Sequence, residues 1–165
     1  MLAGIKKLRI TDTDAFVKSI RAINNSVAVQ AVDANFAAGG EHVLSVLQQS
    51  LQAKKKGTML SKRIEIDILL RLACTNQISK ALDDIGLKNG INNILIVAIG
   101  KISDLKVLQK HLAKNYKLNS NVLNLSAKKT KLLSSHYKIG REEINACINN
   151  HKLASILAER ANLLW

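Results

Sequence analysis

A short, unbroken apolar run does most to limit the folds open to this chain. Residues 94–99 are Ile, Leu, Ile, Val, Ala and Ile, with Asn93 before them and Gly100 after them. A continuous apolar run between turn residues is typical of a strand that is covered on both faces. We therefore predict a central β-strand at this position, with other elements packed on each side of it.

The rest of the chain shows two kinds of hydrophobic spacing. Residues 2–10 alternate weakly, residues 27–32 are rich in β-branched side chains and residues 122–125 are a short apolar stretch, so each predicts a strand. Apolar residues at spacings of three and four predict helices over residues 11–24, 40–56, 103–115, 126–137 and 141–165. The predicted fold is therefore α/β (α+β), with a small central sheet flanked by several helices.

Length and composition fit one domain that spans residues 1–165. The chain has 165 residues, 47% of them hydrophobic, which is enough for a real core. No apolar run approaches the ~20 residues of a membrane span, so we expect no membrane contact. The first ten residues contain no long apolar segment, so we expect no secretory signal. In the predicted helix 40–56 the side chains expected to be buried are Val43, Leu44, Leu47 and Leu51. In the predicted helix 126–137 they are Leu132 and Leu133.

The clearest helical pattern lies in residues 75–86. The side chains of Ile78, Ala81, Leu82 and Ile85 would share one face of this helix. Thr75 is the predicted N-cap, because its hydroxyl can accept a hydrogen bond from an unpaired backbone N–H. Asn76 and Gln77 would then occupy the first turn, where free N–H groups favour an anion.

Residues 63–73 fit two periodicities. Apolar residues alternate with charged ones from residue 63 to residue 68, which is a strand signal. The four-residue spacing of Arg63, Asp67 and Arg71 also fits one edge of a helix. Periodicity alone favours the strand.

Charge is the strongest signal in the composition. Twenty-five Lys and Arg residues against 12 acidic residues give a formal net charge of +13, which indicates a polyanionic partner such as a nucleic acid or simply a soluble lysine-rich surface. The five aromatic residues are few for the base-stacking platforms of common RNA-binding domains. Any RNA contact should therefore depend on phosphates, backbone groups and shape.

Motifs of known catalytic chemistry are absent. The chain has no Gly-rich phosphate-binding loop, no HExxH zinc motif and no GxSxG nucleophile motif. The histidines are scattered, and Cys74 and Cys147 show no metal-ligand spacing, so we expect no metal, no cofactor and no catalytic residue. The two thiols suit small buried side chains in a reducing, cytoplasmic compartment.

Several segments together resemble one protein family. Residues 67–71, 75–82, 85–86 and 94–99 are similar to the smallest conserved subunit of the KEOPS complex, the PRPK-binding-protein (TPRKB-like) family, and the resemblance extends loosely over most of the chain. It implies a helix, not a strand, for residues 63–73. The chain has Cys74 in a turn where many members have Gly, and Asn76 where many have Arg.

The resemblance also implies a function. KEOPS makes threonylcarbamoyladenosine next to the anticodon of tRNAs that read ANN codons. The family member binds the kinase-like ATPase subunit and, in archaea, captures the 3′ CCA end of tRNA, and it contacts the remaining KEOPS subunits indirectly. We therefore expect a non-catalytic subunit that holds tRNA while another subunit carries out the transfer.

Two sets of site residues follow from these expectations. The predicted tRNA-binding residues combine the helix start with nearby cations that can neutralise phosphates: Lys62, Arg63, Arg71, Thr75, Asn76, Gln77 and Lys80. A structural alternative is that Arg71 only bridges Asp67 and that Gln77 only caps its own helix.

The end of the chain supplies the second set. The predicted helix 141–165 is apolar on more sides than one core contact needs, and Trp165 adds to that surface. It is either a helix wrapped by its own domain or a docking helix, and in the resembling family this region packs on the amino-terminal lobe of the ATPase. The predicted kinase interface is Leu153, Ile156, Leu157, Arg160, Leu163 and Leu164.

Two other functions remain open from the sequence. The chain could be a structural or activating partner of the kinase that does not contact RNA, and the loss of Arg at position 76 favours this reading. A small enzyme acting on an acidic metabolite has no residue constellation to support it.

Overall fold

The computed structural model describes residues 1–147 and 151–164. These residues form a three-stranded antiparallel sheet and eight α-helices, so the predicted α+β class is confirmed. Their contacts divide the chain into two compact units, each built from two separate segments. The first unit comprises residues 1–34 and 85–122, and the second comprises residues 35–84 and 123–165.

The sheet belongs to the first unit. Its strands are β1 (Leu2–Ile10), β2 (Ala28–Asp33) and β3 (Gly90–Ile99), in the order β1-β3-β2. The apolar run is therefore the central strand, as predicted, although β3 begins several residues before the run. Residues 94–98 of β3 are completely buried, which agrees with a strand covered on both faces.

Two helices of the first unit pack on the sheet. They are α1 (Thr13–Ala22) and α5 (Ile102–Asn115), and both were predicted from their apolar spacing. Ile20 of α1 and Leu108 and Leu112 of α5 join one apolar cluster with alternate residues of the strands. Alternate residues point to the same face of a strand, so this cluster is one face of the sheet with its helices.

The second unit is helical. Its helices are α2 (Gly40–Lys56), α3 (Ile64–Leu72), α4 (Ile78–Ile85), α6 (Ala127–His136), α7 (Arg141–Ala146) and α8 (Lys152–Asn162). Helices α3 and α8 both pack against α2 and against each other. The helical reading of residues 63–73, which the family resemblance favoured over the strand signal, is confirmed by α3.

Three features differ from the sequence predictions. Residues 120–123 form a 3₁₀ turn, so the predicted strand 122–125 is wrong. The predicted helix 141–165 is interrupted, because Cys147 after α7 has extended backbone angles (φ −73°, ψ 125°). Trp165 lies outside the described residues. Among the described residues, no helix is both long and apolar enough to cross a membrane.

Burial also differs on two helices. Val43 and Leu47 of α2 and Leu133 of α6 are buried as predicted, whereas Leu44, Leu51 and Leu132 are exposed. On α2 the buried face instead includes polar positions, His42 and Ser50. Periodicity locates an apolar stripe but does not show that a neighbour covers its full width, which is why the three leucines were misplaced.

Candidate functional site

The segment between α3 and α4 contains Thr75, Asn76 and Gln77, the residues predicted to begin a helix. Helix α4 begins at Ile78, three residues after Thr75, and its first helical hydrogen bond runs from Ala81 N to Gln77 O (3.0 Å). Gln77 is therefore the N-cap, and Asn76 precedes the helix instead of lying in its first turn. Thr75 Oγ1 accepts a hydrogen bond from Gln77 N (3.3 Å), so the threonine orders the turn before the helix.

Cys74 explains why this turn suits glycine. Its φ is 51°, in the left-handed region that residues other than glycine rarely adopt. Thr75 N donates to Leu70 O and Cys74 N donates to Arg71 O, both at 3.1 Å, which is the Schellman pattern that ends a helix. The Cys74 side chain contacts Leu157 O at 3.7 Å, and burial raises the pKa of its thiol to about 11. The thiol therefore stays protonated and is not an activated nucleophile.

Arg71 is bound within its own unit. Its Nε donates to Asp67 Oδ2 (2.9 Å) and its Nη1 donates to Ala161 O (2.9 Å) near the end of α8. The side chains are 6% and 0% exposed for Arg71 and Asp67, so this is a buried ion pair. Asp67 Oδ1 also accepts from Leu60 N (2.7 Å), which fixes the loop before α3. The structural role weighed for Arg71 from the sequence is therefore present.

The other predicted cations are on the surface. Lys62 is exposed, Arg63 pairs with Glu65, and Lys80 pairs with Asp84 at 3.0 Å one turn along α4. Exposed ion pairs of this kind contribute little to stability and leave their cations accessible.

A cavity of about 650 Å³ opens in the second unit beside Arg71 and Asn76. It is bounded by α2, the loop that follows α2, α3, the turn before α4 and the end of α8. Its lining residues are Gln49, Gln52, Ala53, Lys56, Thr58, Met59, Leu60, Arg71, Asn76, Asn162, Leu163 and Leu164. It thus contains two of the predicted tRNA-binding residues, and the other five are not part of its lining.

The chemistry of this cavity is polar but not acidic. Four side-chain amides line it, from two glutamines of α2, Asn76 and Asn162, and each amide can both donate and accept hydrogen bonds. Lys56 and Arg71 supply positive charge, and the described lining residues include no Asp or Glu. Apolar side chains such as Met59 and Leu163 complete the wall. Its volume falls within the range of small-molecule and cofactor sites.

Sequence reasoning found only part of this cavity. The three lysines at residues 54–56 were visible as helix-end charges, but nothing in their order distinguishes Lys56, which lines the cavity, from Lys55. The glutamines of α2 and Asn162 lie far from residue 76 in the chain. Their contribution depends on the packing of α2 against α3 and α8, for which the sequence holds no local signal.

The predicted docking residues of α8 are mostly in the core. Leu153, Ile156 and Leu157 are 6%, 4% and 0% exposed and join an apolar cluster with Leu133 and Tyr137. The reading of a helix wrapped by its own domain therefore applies to this part of α8, and these three side chains are not available to a partner. Leu163 is 62% exposed and Leu164 is half-buried, so the accessible part of the prediction lies at the end of α8.

Arg160 links elements within the second unit. Its Nη2 donates to both carboxylate oxygens of Glu143 (2.9 and 2.8 Å), and its Nη1 donates to Tyr137 O. A bidentate pair of this kind fixes geometry as well as charge. Arg160 therefore ties α8 to α7 and to the end of α6.

Three helices, α2, α4 and α5, each carry two exposed large apolar side chains, and those of α5, Ile102 and Val107, are five residues apart. Ile78 and Leu82 of α4 are 46% and 47% exposed, while Ala81 and Ile85 of the same helix are buried. Leu44 and Leu51 of α2 are also exposed, but they lie about two turns apart. The pair on α4 is one turn apart, so we name Ile78 and Leu82 the α4 apolar pair. The sequence placed all four residues on one face of the helix, but it could not show that only Ala81 and Ile85 would be covered.

No candidate metal site is found among the described residues. They contain no group of three or more His, Cys, Asp or Glu that could hold a metal ion. These features define the class of the protein: a small α+β protein with a basic, amide-lined cavity and an exposed apolar pair.

Comparison with known proteins then gives the family. The family described as kinase binding protein CGI-121 matches residues 8–161, so the chain belongs to that family. A search of curated proteins found no match.

Proposed function

We propose that this chain is the non-catalytic subunit of a KEOPS-type complex, which binds the kinase-like ATPase subunit and holds the 3′ CCA end of tRNA. Membership of a family described as kinase binding protein supports the first part of the proposal. The resemblance of residues 67–71 and 75–82 to the KEOPS subunit supports the second part. In this role the chain positions tRNA, and a different subunit modifies it.

The observation that carries the tRNA part is the cavity beside Asn76. Single-stranded RNA ends are recognised through ribose hydroxyls and the edges of unstacked bases. Side-chain amides supply the paired donors and acceptors that such edges require, and four of them line this cavity. Lys56 supplies a charge for a phosphate, and the apolar wall offers a surface for a base. Among the lining residues that the structure describes, none is an Asp or Glu that would repel the RNA backbone.

Asn76 and Lys56 would be the principal contacts. Arg71 already donates to Asp67 and Ala161, so we assign it to support of the cavity wall. Asn76 is exposed, lines the cavity and has no side-chain hydrogen bond among the described residues, so its amide is available. It stands where many family members have Arg, which predicts hydrogen bonds to ribose or base in place of a charge contact.

The first test compares tRNA with and without its 3′ CCA by gel shift at low and moderate salt. We expect tighter binding of the complete tRNA. Lys56→Glu should weaken binding of complete tRNA by about tenfold. It should also make the slope of log K against log[salt] shallower, because each phosphate contact with a single strand contributes about 0.7 to that slope. Lys55→Glu is the matched control, because it makes the same change at the same helix end outside the cavity. Equal binding of the two tRNAs would refute tail capture.

A second pair of variants changes charge without changing size. Asn76→Asp places a carboxylate in the cavity, and Gln77→Glu places one on the neighbouring exposed residue, which does not line it. Repulsion between the new carboxylate and RNA should lower the RNA affinity of Asn76→Asp more than that of Gln77→Glu. If both variants lose the same affinity for complete tRNA, the effect is a general one of net charge and the cavity is not the site.

For the ATPase subunit, the α4 apolar pair is the proposed contact. Two adjacent apolar side chains on one face of a helix suit a hydrophobic groove on a partner. Leu82→Asp should weaken kinase binding by about 30-fold or more, the effect of losing an interface hot spot. Leu132→Asp is the control, since Leu132 is similarly exposed (40%) on a different helix. Loss of binding in Leu44→Asp but not in Leu82→Asp would transfer the site to α2.

A second candidate function is that of a structural or activating partner of the kinase without RNA contact. The buried ion pair of Arg71 favours this second function. Arg71 is the arginine closest in sequence to Asn76, and its guanidinium already pairs with Asp67 instead of a phosphate. Kinase binding that is unaffected by salt, with no CCA-dependent tRNA binding, would select this function.

A further inference from the structure

The first unit carries a row of lysines that the proposed cavity does not use. Lys106, Lys110 and Lys114 lie four residues apart on α5, and all three are exposed. Residues at this spacing share one face of a helix at a rise of about 6 Å per step. The row therefore extends for about 12 Å along the side of α5 opposite to its buried leucines.

Two further lysines lie beyond the end of α5 but do not extend the row. The chain turns into an extended segment at Tyr116, and Leu118 forms an antiparallel bridge with Ile5 of β1. Ile5 and Leu118 belong to the apolar cluster on which α5 packs, so the exposed Lys6 and Lys117 next to them point to the opposite face. We call Lys106, Lys110 and Lys114 the lysine row.

This arrangement is not that of an ordinary solvated helix face. Exposed helix faces usually alternate the sign of their charges, because opposite charges at this spacing stabilise the helix and like charges destabilise it. None of the ion pairs of the described residues involves a member of the lysine row. The repulsion within the row is therefore left without a counter-charge.

The first unit has few acids to compensate. It contains eleven Lys and Arg residues and four acidic residues. The one acid of α5, Asp104, accepts a hydrogen bond from Asn24 (3.2 Å) and lies away from the lysine side of the helix. Helix α5 contains no Phe, Tyr or Trp, which suits contact with phosphates and not with bases.

We infer that the lysine row binds the sugar–phosphate backbone of a double-helical RNA segment. Each strand of a duplex carries one phosphate per about 3.4 Å of helix axis (the figure is for B-form DNA), so a 12 Å row aligned with that axis spans about three to four of them. Lysines contact phosphates as point charges and carry no base preference. The identification of this duplex as an arm of tRNA rests on the proposed function, whereas the backbone contact itself does not.

A membrane surface fits the row less well. Helices that bind lipid surfaces bury their apolar face in the acyl region. Leu108 and Leu112 of α5 are fully buried in the core of the first unit. The exposed apolar residues of α5, Ile102 and Val107, are five residues apart and do not share one face of the helix.

The test uses the whole protein and a tRNA that lacks its 3′ CCA, so tail capture does not contribute. Fluorescence anisotropy over a series of NaCl concentrations compares the wild type with the Lys106→Gln, Lys110→Gln, Lys114→Gln triple variant. The matched control is Lys18→Gln, Lys54→Gln, Lys128→Gln, which removes the same charge from exposed positions on three other helices. Gln resembles Lys in helix propensity, so all variants should fold, and circular dichroism checks that they do.

We expect the row variant to lose at least about tenfold in affinity. Its slope of log K against log[salt] should become shallower by about 2–3, because each duplex phosphate contact contributes about 0.9 to that slope. The control variant should change much less. Equal losses in both variants, or an unchanged slope in the row variant, would overturn the inference. Row-dependent binding to vesicles of equal phosphatidylserine and phosphatidylcholine, without row-dependent RNA binding, would also overturn it.

A second variant tests whether the position of the lysines matters. Lys6→Gln, Lys117→Gln removes two exposed lysines that point away from α5, so it should lower the slope much less than the row variant does. The same loss of slope per lysine in both variants would mean that the charges act without regard to position, and it would overturn the inference. CCA-dependent binding of complete tRNA would persist in the row variant if only the lysine-row inference failed, and it would be absent from the wild type if the proposed function failed.

Discussion

Arg71 shows how one residue can carry a functional signal and yet serve the fold. The sequence marks it as a cation beside the helix start, and the structure uses its Nε and Nη1 to hold Asp67 and the end of α8. The benefit of a buried ion pair is small compared with the cost of breaking it, because removing one partner leaves the other charged and desolvated. An RNA-binding defect in an Arg71 variant must therefore be separated from loss of stability.

Arg71→Met should lower the free energy of unfolding by about 3–5 kcal/mol, because it leaves the Asp67 carboxylate buried without its partner. Urea unfolding measures the loss. Adding Asp67→Asn should restore part of it, since the amide oxygen can still accept from Leu60 N. The control is Lys80→Met, which breaks an exposed pair of the same spacing and should cost no more than about 1 kcal/mol. A loss below that value for Arg71→Met would contradict the description of this ion pair.

His42 is a buried residue that sequence reasoning did not single out. It is fully buried on α2, and its Nδ1 accepts a hydrogen bond from Ala38 N (3.2 Å). Burial, with a smaller contribution from the charge of Lys129, lowers its pKa to about 4. The folded protein therefore holds the neutral imidazole at a pH where the unfolded chain already binds a proton.

This difference predicts a loss of stability in mild acid. The unfolded-state pKa is about 6.5, so the contribution of neutral His42 is complete above that pH and is lost as the pH falls from about 6.5 to about 4. The shift corresponds to about 3 kcal/mol. Urea unfolding at pH 7 and pH 4.5 should show a smaller drop for His42→Asn than for the wild type or for the exposed-site control His111→Asn. Equal drops in all three proteins would contradict the assignment.

At the scale of elements, three helices of the second unit end in the same way. A residue one or two positions after the helix adopts a left-handed conformation at Gly57 (φ 70°), Cys74 (φ 51°) and Lys138 (φ 52°). After α6, Ile139 N donates to Ser134 O and Lys138 N donates to Ser135 O, which again is the Schellman pattern. The sequence signals only the first of these ends, because glycine is the residue that marks such a position.

Lys138→Gly should stabilise the protein by about 0.5–1 kcal/mol. A left-handed conformation costs a residue with a side chain about 1–2 kcal/mol, and the greater backbone freedom of unfolded glycine offsets part of the gain. Thermal or urea unfolding measures the change. Lys131→Gly, in the right-handed interior of the same helix, should destabilise by about 1 kcal/mol. A destabilised Lys138→Gly would show that the lysine side chain contributes more than its backbone strain costs.

The elements also show how far the sequence alone could go. Helices α1, α2, α5 and α6 were predicted from their apolar spacing, and the run at residues 94–99 predicted the central strand. The α3 segment was recovered only through the family resemblance, since its alternating pattern favours a strand. The cavity could not be predicted beyond Arg71 and Asn76, because α2 and α8 bring their residues to it from distant parts of the chain.

At the scale of the whole molecule, both units are basic. The first unit has a formal charge of +7 and the second +6, which together make the +13 of the chain. Excess charge of one sign repels itself in the compact state, and salt screens that repulsion. The same charge attracts phosphates, and salt weakens that attraction.

Salt should therefore act on folding and RNA binding in opposite directions. Raising NaCl from about 50 mM to about 500 mM should increase the urea midpoint of the free protein, while its affinity for tRNA falls steeply. Sodium chloride is preferred to sulfate, because sulfate stabilises proteins by exclusion from their surface. A midpoint that falls with NaCl would mean that attractive pairs such as Arg160–Glu143 outweigh the net repulsion.

The order of the strands in the sheet has a consequence for synthesis. Strands β1 and β2 are both complete by residue 33, yet each pairs with β3, which ends at residue 99. On the ribosome the two outer strands therefore leave the exit tunnel without their shared partner and present open edges while all of residues 35–84 are still being made. The interval in which nascent chains can aggregate is set by the length of that intervening segment.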